Sequence, residues 1–425
     1  MLIYLPSVFF LLLLVYSILK NRGIGIDTFL IMLYFFSALF SILIYNINFL
    51  QYKNINIRLD ATLFYCFFLF LFFLPIMNIR KEVIISPVIN IRIVDKVLNF
   101  LIVVNLVGII FSIKYVFFVL THDPGDFKTM GGMDAVTKEL NYSFNIFERI
   151  GFYILGIFSD FYIIIVVLFF YSVCFLKKKF RYNILLLIAS TSTVINGMRV
   201  RGRTQLIYWL IIFISCFLFF KKAIPQDVKK RIEKLFLLLL LLFTIYFSSV
   251  TISRFKDVNS AKTEAAEWLS IAVYLGQSYL NFADYWDRYD NKHYTLARIL
   301  PITYDLVSTE KFDSLKYRNS FPMDIGVFLT FLGDLYLDIG IWGIVLYSFL
   351  FLFLVSLTQK HKMSGKYSLS QIVIFFLLYQ IPANGLFYYS IWNKTTTLGI
   401  IGSILICILI KQKRNDRSIF YNCKL

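Results

Sequence analysis

Apolar residues run along this chain in long blocks, with polar residues gathered between them. Eleven blocks stand out, at roughly 2–19, 27–47, 60–77, 97–121, 151–176, 182–198, 204–220, 235–252, 335–358, 369–390 and 395–410. Several reach the roughly 20 residues that cross about 30 Å of hydrocarbon at about 1.5 Å rise per residue. A helix satisfies its own backbone hydrogen bonds in lipid, so each block is expected to be helical. The pattern predicts an all-α, polytopic integral membrane protein with about eleven transmembrane helices. The longest connection, residues 253–334, is expected to form a large outer loop within one membrane domain spanning 1–425. Internal repeats, low-complexity stretches and Gly/Ser linkers are absent from the sequence. The first block, Met1 to Lys20, has neither a basic leader nor a small-residue cleavage site, so it reads as a retained first helix.

Composition supports this picture. The chain is 59% hydrophobic and 19% aromatic, with a mean hydropathy of +0.73, which leaves no room for a soluble protein. A net charge of +18 would ordinarily point to nucleic acid. Here the basic residues sit in alternate connections, for example Lys177-Lys178-Lys179 after the fifth block and Lys229-Lys230-Arg231 after the seventh. That is the positive-inside pattern, so the charge is a topology signal and no nucleic-acid partner is expected. It predicts an outside N-terminus and an inside C-terminus in a bacterial inner membrane. The cysteines, Cys66, Cys174, Cys216, Cys407 and Cys423, avoid the outer loops, so no disulfide framework is expected. No Cys/His spacing suggests a metal, and no phosphate-binding Gly-rich loop suggests ATP-driven transport.

Against the charge bias, Arg199, Arg201 and Arg203 occupy a turn that the alternation places outside. An extended turn would put all three on one face; a helix would align only Arg199 and Arg203. Clustered guanidinium forks match the acceptor oxygens of a diphosphate. The other reading is snorkelling to lipid phosphates. Arg254, directly after the eighth block, lies at the same expected depth and could share such an anion.

The stretch Gly333-Asp-Leu-Tyr-Leu-Asp-Ile-Gly340 places Asp334 and Asp338 four residues apart, on one face of a helix. Carboxylates at a membrane boundary are costly unless they face a wet cavity or a partner. One could serve as a general base toward a sugar hydroxyl; alternatively they cap the helix and pair with a nearby cation. His293, the one histidine of the large outer loop, is a third candidate base, with an inert exposed histidine as the simpler reading. Residues 274–286 are rich in aromatics and read as an amphipathic helix on the membrane surface, its aromatics serving either as interfacial anchors or as substrate contacts.

Together, the helix number, the late outer loop, the outer arginines Arg199 to Arg203 with Arg254, and the Gly333-Asp-x-Tyr-x-Asp-x-Gly340 stretch resemble the Wzy-type O-antigen and capsule polymerases. The resemblance is one of layout over nearly the whole chain. It implies transfer of a growing glycan from undecaprenyl diphosphate onto one lipid-linked repeat unit at the periplasmic face. For that reaction Asp334, Asp338 and His293 are the candidate catalytic groups and Arg199, Arg201, Arg203 and Arg254 the candidate holders of the diphosphate, on the physical grounds given above and not as positions carried over from the family. Neither a cofactor nor a metal is required if arginines stabilise the leaving group. A chain-length regulator and a flippase are the implied protein partners. The rival readings are an O-antigen ligase, whose layout would look much the same, and a lipid-linked oligosaccharide flippase or other transporter. A flippase should show two similar halves, which this sequence lacks.

Overall fold

In the computed structural model, the described residues are 2–47, 55–79, 84–85, 91–121, 145–199, 202–256, 266–288, 296–297, 299–307, 328–359, 366–391 and 394–410. They are helical almost throughout. In chain order the elements are α1 (Leu5–Asn21), α2 (Ile26–Asn46), α3 (Leu59–Met77), β1 (Ile84–Ile85), α4 (Ile91–Thr121), α5 (Ile146–Leu176), α6 (Phe180–Ser190), α7 (Ser192–Met198), α8 (Thr204–Phe220), α9 (Gln226–Lys256), α10 (Ala266–Arg288), α11 (Pro301–Val307), α12 (Thr330–Thr358), β2 (Lys366–Tyr367), α13 (Leu369–Asn384) and α14 (Lys394–Ile410). The strands form one parallel two-residue pair.

Among the described residues six helices are long and apolar enough to cross a membrane: Leu2–Asn21, α2, α3, Ile91–Ile113 within α4, α5 and α12. Three shorter apolar helices, α8, α13 and α14, accompany them. The chain is thus a helical, membrane-embedded protein. Helix starts follow local chemistry. Asn145 and Glu148 form a reciprocal capping box at the head of α5, and Ser368 and Gln371 form another at the head of α13.

Three blocks depart from simple helices. The sixth is broken at Thr191 into α6 and α7. The ninth starts earlier, at Thr330, and kinks at Gly340, whose φ of 65° suits glycine. The tenth stops at Asn384 and continues as turns through residues 385–391.

The aromatic segment 274–286 corrects its sequence reading. It belongs to α10, which packs into the bundle against α2 and α3 instead of lying on a lipid surface. Tyr279, Leu280, Phe282 and Ala283 are fully buried. Gly276 makes this possible: a Cβ there would lie 2.5 Å from the Phe40 carbonyl carbon and 2.6 Å from the Ser41 nitrogen. Ser37 Oγ donates to the Leu275 carbonyl at 2.7 Å, and Ser41 Oγ donates to that of Gly276. Close approach at a small residue plus interhelical hydroxyl bonds is how helices associate where lipid removes most of the hydrophobic drive. Elsewhere, Tyr34 spans from α2 to the Pro382 carbonyl in α13 at 2.7 Å, and Trp209 Nε1 donates to Ser190 Oγ at 3.0 Å.

Candidate functional site

The arginine turn connects α7 to α8. Gly202 N–H donates to the Gly197 carbonyl at 2.8 Å, and Tyr246 OH donates to the Gly202 carbonyl at 3.2 Å. Arg199 is only 7% and Arg203 only 8% exposed. These values bear on the snorkelling alternative, which requires the cationic head to reach outward; both arginines are instead enclosed by protein. The Arg203 guanidinium lies 4.6 Å from the centre of the Tyr274 ring. That is within cation–π range. The Tyr274 hydroxyl shares a 3.2 Å hydrogen bond with Thr204 Oγ1. Arg201 lies outside the described residues.

Tyr274 leads from the arginines to the acidic residues. Its ring meets Phe328 edge-on at 4.8 Å and Phe387 at 5.4 Å. Phe328 also packs on Phe387 and Tyr388, and Tyr388 on Tyr208. The segment leading into α12 is stitched to the turn after α13. Leu329 and Thr330 N–H groups both donate to the Phe387 carbonyl, at 3.0 and 2.9 Å, and Phe331 N–H donates to the Gly385 carbonyl at 2.8 Å. Thr330 takes a left-handed φ of 64°. A β-branched residue there is strained, and it persists only because these bonds over-determine it.

Asp334 and Asp338 follow on α12, ahead of the Gly340 kink, and both are fully buried. Asp334 Oδ2 accepts the Tyr389 backbone N–H. Asp338 Oδ2 accepts the Ile299 backbone N–H at 2.7 Å. Tyr389 OH in turn meets Tyr347 OH at 3.1 Å. Each carboxylate therefore anchors a different segment: the 385–391 turn for Asp334 and the lead-in to α11 for Asp338. The sequence alternative for Asp338, a capping role, matches this backbone bond in kind, although the bond reaches a distant segment and not its own helix end.

The structure thus gathers Arg203, Asp334 and the aromatic frame of Tyr274, Phe328 and Phe387, with Arg199 at the head of the same turn. Arg254 falls in the last turn of α9, which runs on to Lys256; its side chain lies outside the described part of the structure, as does all of His293. Tyr388 and the 385–391 turn are functional candidates that sequence reading passed over, whereas the sequence singles out Tyr274 only as part of the aromatic run 274–286. The Asn384-Gly385 pair inside an apolar block was the available signal, since such pairs mark turns. Gly385 is required by space: a Cβ would run into the Ile381 carbonyl oxygen and lie 2.6 Å from Phe331 Cδ1.

Among the described residues no three of His, Cys, Asp or Glu are grouped so as to hold a metal ion. Compared with family models, curated proteins and solved structures, the chain has no significant match in any of the three. The resemblance to repeat-unit polymerases accordingly stands on layout and residues alone.

Proposed function

We propose that this protein polymerises undecaprenyl-diphosphate-linked oligosaccharide repeat units into O-antigen or capsular polysaccharide at the periplasmic face of a bacterial inner membrane. The reading takes all eleven apolar blocks as spans, with the N-terminus outside, the C-terminus inside and the connection between α9 and α12 opening on the periplasmic side, α10 reaching from it into the bundle. One observation carries it: two buried arginines on the side where the charge pattern disfavours cations, one of which, Arg203, stacks on Tyr274, whose ring packs on the turn that anchors Asp334.

In this reading a hydroxyl of the incoming unit attacks the anomeric carbon of the growing chain. The new glycosidic bond forms as the bond to the diphosphate breaks. The hydroxyl proton passes to a carboxylate of the Asp334 and Asp338 pair, or to His293. Arg199 and Arg203, with Arg201 and Arg254, offset the charge developing on the leaving diphosphate. Fixed donors in a site with little water do this without reorganising.

The test is the lipopolysaccharide or capsule banding of a strain lacking the gene. Loss of polymerisation leaves core carrying a single repeat unit. Bare core would instead indicate a ligase or flippase and would overturn the proposal.

A further inference from the structure

A second polar cluster lies where residues 55–60 meet the C-terminal end of α10, and the reading above makes no use of it. Arg58 chelates Asp60 through two bonds, Nε to Oδ1 at 3.0 Å and Nη2 to Oδ2 at 2.8 Å. Its Nη1 lies 3.8 Å from Asp287 Oδ1. Asn56 Nδ2 donates to Asp287 Oδ2 at 3.4 Å, and Trp286 Nε1 donates to Asp60 Oδ2 at 3.2 Å. The Trp286 ring stacks on Tyr336 at 4.7 Å with 22° between planes. The Arg58 and Asp60 side chains are about half exposed, 48% and 51%.

Three features decide what such a surface can take. Exposed ion pairs add little to stability, so stability alone does not account for an ordered array of them. Arg58 against Asp60 and Asp287 leaves the cluster with one excess negative charge and with acceptors and donors interleaved, which does not suit an anion such as a lipid phosphate. Planar carboxylate, guanidinium and carboxamide groups beside an indole edge offer what neighbouring sugar hydroxyls need, since each hydroxyl both donates and accepts. The cluster also sits on the helix that reaches the arginine turn. Tyr274 and Trp286 are twelve residues apart on α10, about 18 Å along its axis, a span that a short run of sugar rings can bridge.

We propose that Arg58, Asp60, Asp287 and Trp286 form a glycan-holding subsite that takes the uncharged sugars of the lipid-linked chain. The proposal rests on the reading that this protein handles lipid-linked glycans, but it concerns sugar recognition apart from the diphosphate. The experiment uses full-length protein in lipid nanodiscs. The probe is the lipid-free repeat-unit oligosaccharide released by mild acid from the strain's own lipid-diphosphate-linked repeat units, with binding read by saturation-transfer NMR and calorimetry. Wild type should bind it, and R58A and D287N should each weaken binding at least tenfold while remaining monodisperse. R203K should bind the lipid-free probe like wild type. Absence of wild-type binding up to about 10 mM, or equal binding by wild type and both rim variants, overturns the subsite. If the rim variants lose binding while R199K and R203K polymerise normally, the subsite stands and the diphosphate assignment falls. If the reverse holds, the subsite falls alone.

Discussion

Replacing Arg203 by lysine is the most demanding test of the arginine turn. The substitution keeps the charge and shortens nothing essential, yet it replaces a planar fork of donors by a point charge on a flexible stem. Arg203 is 8% exposed and its guanidinium sits 4.6 Å over the Tyr274 ring, so bulk water cannot easily substitute for a donor that is lost. A hydrogen bond to a charged group contributes about 1.5–3 kcal/mol. If that contact strengthens as the diphosphate leaves, its loss lowers turnover by about one to two decades. Lysine can still sit over Tyr274, since an ammonium also makes a cation–π contact. Membrane level and thermal stability should therefore change far less than rate. The assay is the polymer ladder of a deletion strain complemented with R199K or R203K, with membrane levels equalised by immunoblot. Turnover of purified lipid-linked repeat units by the same variants gives the rate. Normal ladders and rates from both variants would refute the idea that these arginines hold a diphosphate.

Three further outcomes follow from particular contacts. Gly385→Ala should lower the melting temperature of the detergent-solubilised protein, because the new methyl meets the Ile381 carbonyl and Phe331; overpacking of this kind costs about 1–3 kcal/mol, and an unchanged melting curve would contradict the packing of that turn. Asp334→Asn should reduce turnover more than Asp338→Asn while both insert, since asparagine keeps an oxygen to accept the Tyr389 or Ile299 N–H; full polymerisation by both would make the carboxylates anchors only. Burial pushes the Asp284 carboxyl above its ordinary value even though Arg288 pulls it down, so the folded chain binds that proton more tightly than the unfolded one. Its contribution is therefore complete at acid pH and declines as pH rises from about 4 through the raised value; Asp284→Asn should flatten melting temperature against pH across that window, and an unaltered slope would count against it.

Much of the fold could be read from one-dimensional pattern, because lipid imposes a local rule. A backbone that must satisfy itself turns long apolar blocks into helix, and the described residues of the blocks are largely helical, the sixth broken at Thr191 and the tenth leaving helix after Asn384. What the pattern missed are places where a helix is interrupted by something far away in sequence. Block ten ends at Asn384 because the carbonyls of Gly385 and Phe387 are taken by N–H groups of residues 329–331. The helix at 274–286 was read as lying on lipid because its aromatics look interfacial. They are covered by protein because Gly276 admits the α2 backbone, and a glycine's neighbour cannot be inferred from its own sequence context.

The same distinction runs through the candidate site. Arg199, Arg203, Asp334 and Asp338 stood out because each breaks a rule of charge placement, either cations on the disfavoured side or carboxylates at a membrane boundary. Their burial in the structure fits that reasoning, since a charge is retained in such a place only where something compensates its desolvation. The aromatic frame beside Arg203 and Asp334 broke no rule. Tyr274, Phe328 and Phe387 are ordinary aromatics in an aromatic-rich chain, and they meet only through pairings between distant parts of the sequence, such as Tyr274 with Phe387. Residues that supply charge are thus visible as local exceptions, whereas residues that set its position are defined by long-range contact. It follows that changes at Tyr274 or in the 385–391 turn should act on the reaction through the placement of Arg203 and Asp334. Tyr274→Phe keeps the ring beneath Arg203 and loses the hydroxyl's bond to Thr204, so it should be much milder than loss of the guanidinium fork itself.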